Sequence, residues 1–570
     1  MFGWLITNYT KIIELNNQMN ADIIKYCDFT IIRSHNGRFI NDTIFDETEE
    51  YIIVIDGMVF NKSDLIKESG KSWYETVLEL YKISPQSLPS KLRGSFSGLI
   101  IDKQTKSIFA FTNHIGDSGV FYSVDEKENK FVISTNFGWI SEILTSNRVT
   151  YALCDNAVKY MCTFGFMLDN STFIDKIHRL LPGEYISLDK CIKIDNYHVI
   201  TNTKTIDLSD QEIIDKIDYL FRQAINREFG KDEEYGYTSV VDLSGGLDSR
   251  VVNYVAKDLG YNNVINVSFS QTNSDEYKAM IALHKDLGNP LFFVPLDNAK
   301  HLFDIDKIVA GNYGLSFYAG AGGLITVMEN LNPKIHGMEH GGVLGEMADG
   351  VFPGSDYTKH TQATFETGMP FCRMVPLSIL DKQLLEKYPN TELFTIYGRG
   401  LLGGACPQLI RRNYTGYFSA FEDIDFYDFF LSIPLDIRGG KKILQKWVNQ
   451  KYPQAFNIIE DKLMCKPNAS RVTKAEKKFK RKVKGKIGDY FGNYFPVLLK
   501  NSMNPMEYWY STNSELRDFI DDYYNVNIDK LKKYPNEYAL VDDLFRKGTI
   551  KEKLIVLTIL SVMKQYFNEG

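Results

Sequence analysis

The residues of this chain best suited to chemistry lie in the string Ser244-Gly245-Gly246-Leu247-Asp248-Ser249. A short strand-like run, Val240 to Leu243, leads into it; Val251, Val252, Tyr254, Val255 and Leu259 then recur at helical spacing until Gly260. The pattern predicts strand, tight glycine turn, helix. Glycines let a backbone approach a ligand closely, and the unpaired N–H groups of a helix start attract an anion. The hydroxyls of Ser244 and Ser249 add donors, and Asp248 can hold Mg²⁺ against phosphate oxygens. The chemistry implied is a grip on the phosphates of a nucleotide. A bare Gly-Gly turn would mark only a strand-to-helix connection, whereas the full string is more specific. It lacks the Gly-Lys-Ser/Thr ending of a Walker loop and the third glycine of a dinucleotide fingerprint.

The elements that must position these residues are legible in outline. Helix and strand signals alternate from residue 239 onward: strand 239–243, helix 251–259, strand 264–269, helix 275–287, strand 291–294. That alternation predicts a parallel, doubly wound α/β sheet with ligands at the carboxyl ends of its strands. Ser209-Asp210-Gln211-Glu212 reads as a capping box opening a helix whose Ile213, Ile214, Ile217, Leu220 and Phe221 share one face. Before residue 200 short strand-like runs dominate (51–55, 96–101, 107–111, 130–134), with one helical stretch at 73–83. After about residue 360 the chain reads as mostly helical.

At 570 residues two or more domains are expected, since single cores seldom grow past roughly 250–300 residues. With 65 basic and 72 acidic residues the net charge is −7, so no global attraction to nucleic acid or to an anionic membrane follows. Seven dispersed cysteines (27, 154, 162, 191, 372, 406, 465) without a Cys-x-x-Cys pair suit reduced thiols better than disulfides or zinc. No apolar run approaches the roughly 20 residues of a spanning helix. Met1-Phe2-Gly3-Trp4 has no basic leader region, and a soluble cytoplasmic protein is expected. One local bias stands out: Arg471, Lys474, Lys477, Lys478, Lys480, Arg481, Lys482, Lys484 and Lys486 crowd one stretch, with Val472, Ala475, Phe479 and Val483 at helical spacing. It reads as a solvated helix face or as a basic lip that draws in an anionic substrate.

The Ser-Gly-Gly-Leu-Asp-Ser string resembles the pyrophosphate loop of N-type ATP pyrophosphatases, and nearly the whole chain resembles the asparagine synthetase family. Asp56-Gly57-Met58-Val59-Phe60-Asn61, Leu92-Arg93-Gly94-Ser95-Phe96, Asn113-His114-Ile115-Gly116 and Leu181-Pro182-Gly183-Glu184-Tyr185 carry the likeness in the first half. The resemblance implies residues 1–205 as an Ntn-like αββα sandwich of class II glutaminase type. Residues 206–570 would then be an ATP pyrophosphatase domain ending in a helical part. The family's nucleophilic cysteine at position 2 is Phe2 here, and its glutamine-binding Asn, Glu and Asp are Asp56, Met58 and Trp73. A phenyl ring is no nucleophile, so this half reads as structural or substrate-shaping. Family branches that lost the cysteine include β-lactam-forming synthetases and lasso-peptide cyclases.

For the second half the resemblance implies ATP and Mg²⁺ as cofactors, with Ser244, Gly245, Gly246, Asp248 and Ser249 on the pyrophosphate and Asp248 on the metal. Leu243, Val267, Ser268 and Phe269 would frame the adenosine. Arg250 adds a cation near the phosphates or merely pairs along its helix; Asp275 is a family acid or a plain helix cap. Gly337, Gly341 and Gly342, in Ile335-His336-Gly337-Met338-Glu339-His340-Gly341-Gly342-Val343-Leu344-Gly345-Glu346, resemble the loop facing the triphosphate. Where that loop carries Asp, Gly342 or Val343 stands, so Glu339, Glu346 or Asp349 must supply the carboxylate. Arg411, Arg412 and Asn413, with Asp423 and Asp425, resemble the substrate-side helices. Lys462 matches the catalytic lysine, with Lys466 as the alternative. The implied reaction is adenylation of a small-molecule or peptide carboxylate, then transfer of the acyl group to an amine or ammonia. The rival reading is a catalytically silent scaffold. No nucleic-acid or membrane partner is expected, and a homodimer is possible.

Overall fold

The computed structural model describes residues 2–12, 20–189, 191–348, 359–491 and 499–567. In the first half, two six-stranded antiparallel sheets are stacked face to face. Alternation along each strand explains why both faces are covered. In Gly3–Thr7, Trp4 and Ile6 point between the sheets while Leu5 joins the core on the other side. In Tyr51–Val59, Ile52 and Val54 face the sister sheet, and Ile53 and Ile55 face the helices Lys62–Ser69 and Trp73–Ile83. A strand buried on both faces reads as an unbroken apolar run, which Tyr51-Ile-Ile-Val-Ile55 is. The helices Phe137–Ser146 and Asp155–Phe164 cover the outer face of the first sheet.

The second half is built on a five-stranded parallel sheet. Its order is Leu291–Pro295, Val264–Ser270, Thr238–Asp242, His336–Gly341, Tyr417–Ser419, with all four pairings parallel. From the central strand Thr238–Asp242 the chain winds out to one edge and then returns to the other side. The strand order therefore reverses beside the central strand, where a crevice opens at the carboxyl ends. The helix Asp210–Glu234 begins with the expected capping box, Ser209 with Glu212, and buries Ile213, Ile217 and Phe221. The rest of this half is largely helical and closes with Ile550–Tyr566, which is buried on nearly every side. Among the described residues no helix is long and apolar enough to cross a membrane.

The two halves are joined by buried polar contacts as well as apolar ones. Asp42 of the first half accepts from Lys231 Nζ at 3.1 Å, and the exposures of the two side chains are 0% and 1%. Arg93 pairs with Asp425 at 2.9 Å across the same boundary.

Candidate functional site

The loop after the central strand is held by its own small residues. Ser244 and Ser249 share a hydroxyl hydrogen bond of 2.6 Å, and Ser249 Oγ also accepts the Ser244 N–H at 3.2 Å. Ser244 Oγ in turn accepts the Gly246 N–H at 3.3 Å. Gly246 caps the helix Leu247–Asp258 without a side chain, so the helix start stays open toward the crevice. Gly245 has no room for a larger residue, because a Cβ there would lie 2.7 Å from Asp461 Cβ and 2.9 Å from Ala279 Cβ. Gly342 approaches the loop from the neighbouring strand end, where a Cβ would meet the Ser249 backbone nitrogen at 2.6 Å.

In front of this loop lies a cavity of about 580 Å³. Its walls come from the loop itself, from Val267, Ser268 and Phe269, and from Gly342 to Leu344 with Glu346. Arg399 and Gly403 reach it from a π-helical turn, Ile396–Gly403, a wide helical form often found at functional sites. Phe164 and Phe166 of the first half complete the rim, so both halves shape it.

Two acids at the cavity are matched to lysines. Asp248 Oδ1 lies 3.2 Å from Lys441 Nζ. Glu346 Oε1 accepts from Lys462 Nζ at 2.5 Å. Burial would raise the Glu346 carboxyl, but the Lys462 hydrogen bond and the charges of Lys441, Lys462 and Arg399 outweigh it and hold the group below its usual range. At the floor, burial and the neighbouring Glu339 push Asp242 well above the usual carboxylate range, against the pull of Arg411. Glu276 accepts the Gly245 N–H at 2.7 Å. Burial, and then the charge of Asp461, raise its carboxyl to about 7.

Several expected site residues thus line one cavity: Leu243, Ser244, Gly246, Asp248, Ser249, Val267, Ser268, Phe269, Gly342 and Glu346. Lys462 touches it through Glu346, while Lys466 is exposed just beyond that turn. Others sit elsewhere. Arg250 is fully buried and donates to the carbonyls of Gly245, Ala455, Ile458 and Ile459, so it braces the loop from behind and does not line the cavity. Glu339 is 1% exposed and locked on Arg411 at 2.8 Å, beneath the cavity wall. Gly337 and Gly341 belong to the buried strand His336–Gly341; Cβ atoms there would strike Asp232 at 2.1 Å and Tyr417 at 2.2 Å. Half of the string read as one loop is therefore strand, where Gly337 and Gly341 serve packing, while Gly342 lies beyond the strand against the loop. His340 is likewise structural, bonded to Asp232 at 2.8 Å and Glu228 at 3.0 Å. Asp275 sits in a helix's first turn behind the cap Ser274 and 3.5 Å from Lys278, while its neighbour Glu276 faces the loop. Asp349 lies outside the described residues.

Sequence reasoning missed Glu276, Asp242, Arg399 and Lys441. Glu276 could have been reached from the Ser-Asp-Glu triplet it ends. Lys441 follows Gly439-Gly440 in a left-handed turn at φ 65° and carries no spacing signal. In the first half, Phe2 lines a cavity of about 90 Å³ with Asp56 and Met58, and Asp56 lies 3.8 Å from Arg412. Trp73 is buried under its helix and donates its indole N–H to the Asp42 carbonyl at 2.9 Å.

Residues 40–198 match the family model of a glutamine amidotransferase domain. Asparagine synthetase [glutamine-hydrolyzing] 1 of Bacillus subtilis is 22% identical over 274 residues, 46% of this chain and 42% of the relative. The match thus spans less than half of that relative's length. Among solved structures, NMN synthetase from Francisella tularensis shares 16% identity over 44% of this chain and 97% of its own, with a TM-score of 0.20.

Proposed function

We propose that the chain is an ATP-dependent carbon–nitrogen ligase that forms an amide with release of AMP and pyrophosphate. In the reaction a substrate carboxylate oxygen attacks the α-phosphorus of ATP and pyrophosphate leaves. An amine or ammonia then attacks the acyl carbon, loses a proton, and AMP departs. The observation that carries this reading is the open loop Ser244–Ser249 facing a roomy cavity at the strand reversal, with Val267, Ser268 and Phe269 as a platform for the base. Asp248 and Glu346 are the oxygen donors suited to Mg²⁺, which commonly takes one or two carboxylates plus phosphates; the ion would neutralise phosphate charge. Lys462, bonded to Glu346 at the cavity, would supply an ammonium that follows charge moving between acyl group and phosphate. The asparagine synthetase likeness points the same way.

Within this reading residues 1–205 are a degenerate, Ntn-like glutaminase-type sandwich without glutaminase activity, because Phe2 cannot act as nucleophile. Residues 206–570 are the doubly wound, pyrophosphatase-type half. The enzyme is cytoplasmic and takes its nitrogen from free ammonia or from an amine on a substrate. Exchange of labelled pyrophosphate into ATP, dependent on a candidate acid, tests the proposal. Asp248→Ala and Ser244→Ala should each lower it by about 100-fold or more, as loss of phosphate-positioning groups does. Exchange that survives both substitutions would sink the ligase.

A second reading, a silent scaffold that kept the fold, is favoured by one observation: the Lys441 ammonium already neutralises Asp248. Calorimetry with millimolar MgATP separates the two, since a scaffold releases no heat of binding.

A further inference from the structure

The chain's negative balance hides one strongly positive element. Between Arg471 and Val483 seven basic side chains stand against Glu476, which is itself tied to Lys480 at 2.6 Å. These residues belong to the helix Arg471–Phe491, whose 3.6-residue turn sorts them. Val472, Ala475, Phe479 and Val483 fall on one face, which points to solvent: Val472 is 78% exposed, Phe479 68% and Val483 39%. The opposite face is turned inward, with Thr473, Lys474 and Lys477 partly covered and Arg481 donating to the Lys462 carbonyl at 2.8 Å. An amphipathic helix that turns its apolar stripe outward inverts the arrangement of an ordinary surface helix.

We propose that this helix is a peripheral anchor that lies on an anionic lipid surface. The stripe is flanked on both sides by exposed lysines, Lys480 on one edge and Lys478 and Lys482 on the other. That is the pattern of an interfacial helix: apolar side chains sink below the headgroups while lysine stems run along them and carry ammonium groups to the phosphates. A nucleic-acid partner would use the lysines and leave the bare Phe479 and Val472 without a role. The overall charge of −7 repels an anionic surface, so binding selects the orientation that presents this edge. Through Arg481 the anchor adjoins the turn carrying Lys462, which sets the cavity mouth close to the bilayer. The proposal stands on the helix geometry and is independent of the ligase reading.

Co-sedimentation of the full chain with vesicles tests it, comparing phosphatidylcholine with a mixture one-third phosphatidylglycerol. Binding to the anionic vesicles should exceed binding to neutral ones by about tenfold or more and weaken in about 1 M salt. Val472→Ser combined with Phe479→Ser should lower it about tenfold, and so should Lys478→Glu combined with Lys480→Glu and Lys482→Glu. All these side chains are exposed, so thermal unfolding should be unchanged. Equal pelleting on both vesicle types, or pelleting that Phe479→Ser leaves intact, overturns the proposal. A dimer in solution that Phe479→Ser dissociates overturns it too, since the stripe is then covered by a second copy. RNA binding lost in the lysine variants, without vesicle binding, has the same consequence.

Discussion

Six acidic side chains lie at or beneath the cavity, and burying a carboxylate costs several kcal/mol unless it gains a partner. Asp248 and Glu346 answer with lysines, and Glu339 answers with Arg411 while crowding Asp242. Among the described residues Glu276 and Asp461 have no such cation in an ion pair: Arg250 acts on Glu276 less than its other neighbours do, and its guanidinium is spent on carbonyls. Glu276 keeps a proton instead, up to about pH 7. The sign follows directly. Below about 7 Glu276 carries less negative charge beside the loop, and above it its carboxylate would repel the phosphates of the proposed nucleotide. MgATP affinity should therefore weaken as pH rises from about 6 to 8, by several-fold, and Glu276→Gln should flatten the profile. Calorimetric titration across that range checks it; an equal slope in the variant counts against the role given to Glu276. The loop itself was legible because its special residues are consecutive. Arg399 and Lys441 were not, since only the fold brings them to it, whereas Glu276 stood in a marked triplet; Arg250 is turned inward onto carbonyls by its burial.

Among the elements, the strand His336–Gly341 shows best what patterning hides. Glycine is sparse in strands, so a Gly-rich string suggests a loop. Here the glycines admit Asp232 from the helix Asp210–Glu234 on one side and Tyr417 from the next strand on the other. His340 then bolts strand to helix. Burial would lower its pKa, but hydrogen bonds to Asp232 and Glu228 prevail and raise it to about 9. Burial raises Glu228 to about 7. Both groups hold their proton more tightly folded than unfolded, so the stability they give is present at low pH and lost as pH rises. For Glu228 the window runs from about 4.5 to 7, and for His340 from about 6.5 to 9. Scanning calorimetry should show Tm falling between pH 6.5 and 9, by an amount equivalent to on the order of 3 kcal/mol. His340→Asn should start lower and fall less. A Tm that stays level over this window would contradict the arrangement. The alternating strands and helices around it were read well, because period-2 and 3.6 patterns survive whatever the tertiary partners are.

For the whole molecule, the sequence carries no sign of how deeply its first and second halves share an interior. One apolar core runs from Leu5, Phe121 and Phe137 of the first half to Leu554, Ile555 and Leu557 of the terminal helix Ile550–Tyr566. Phe137 meets Tyr566 ring to edge at 5.2 Å, and Tyr151 donates to the Tyr566 carbonyl at 2.8 Å. Such long-range pairing leaves no local mark on either partner. It also sets a timetable. Domains ordinarily finish in the order they leave the ribosome. Here the earlier-made sandwich waits for the later-made helix Ile550–Tyr566 to cover its flank, so nascent chains stalled before residue 550 should stay open to protease around residues 137–164 and close once that helix has emerged.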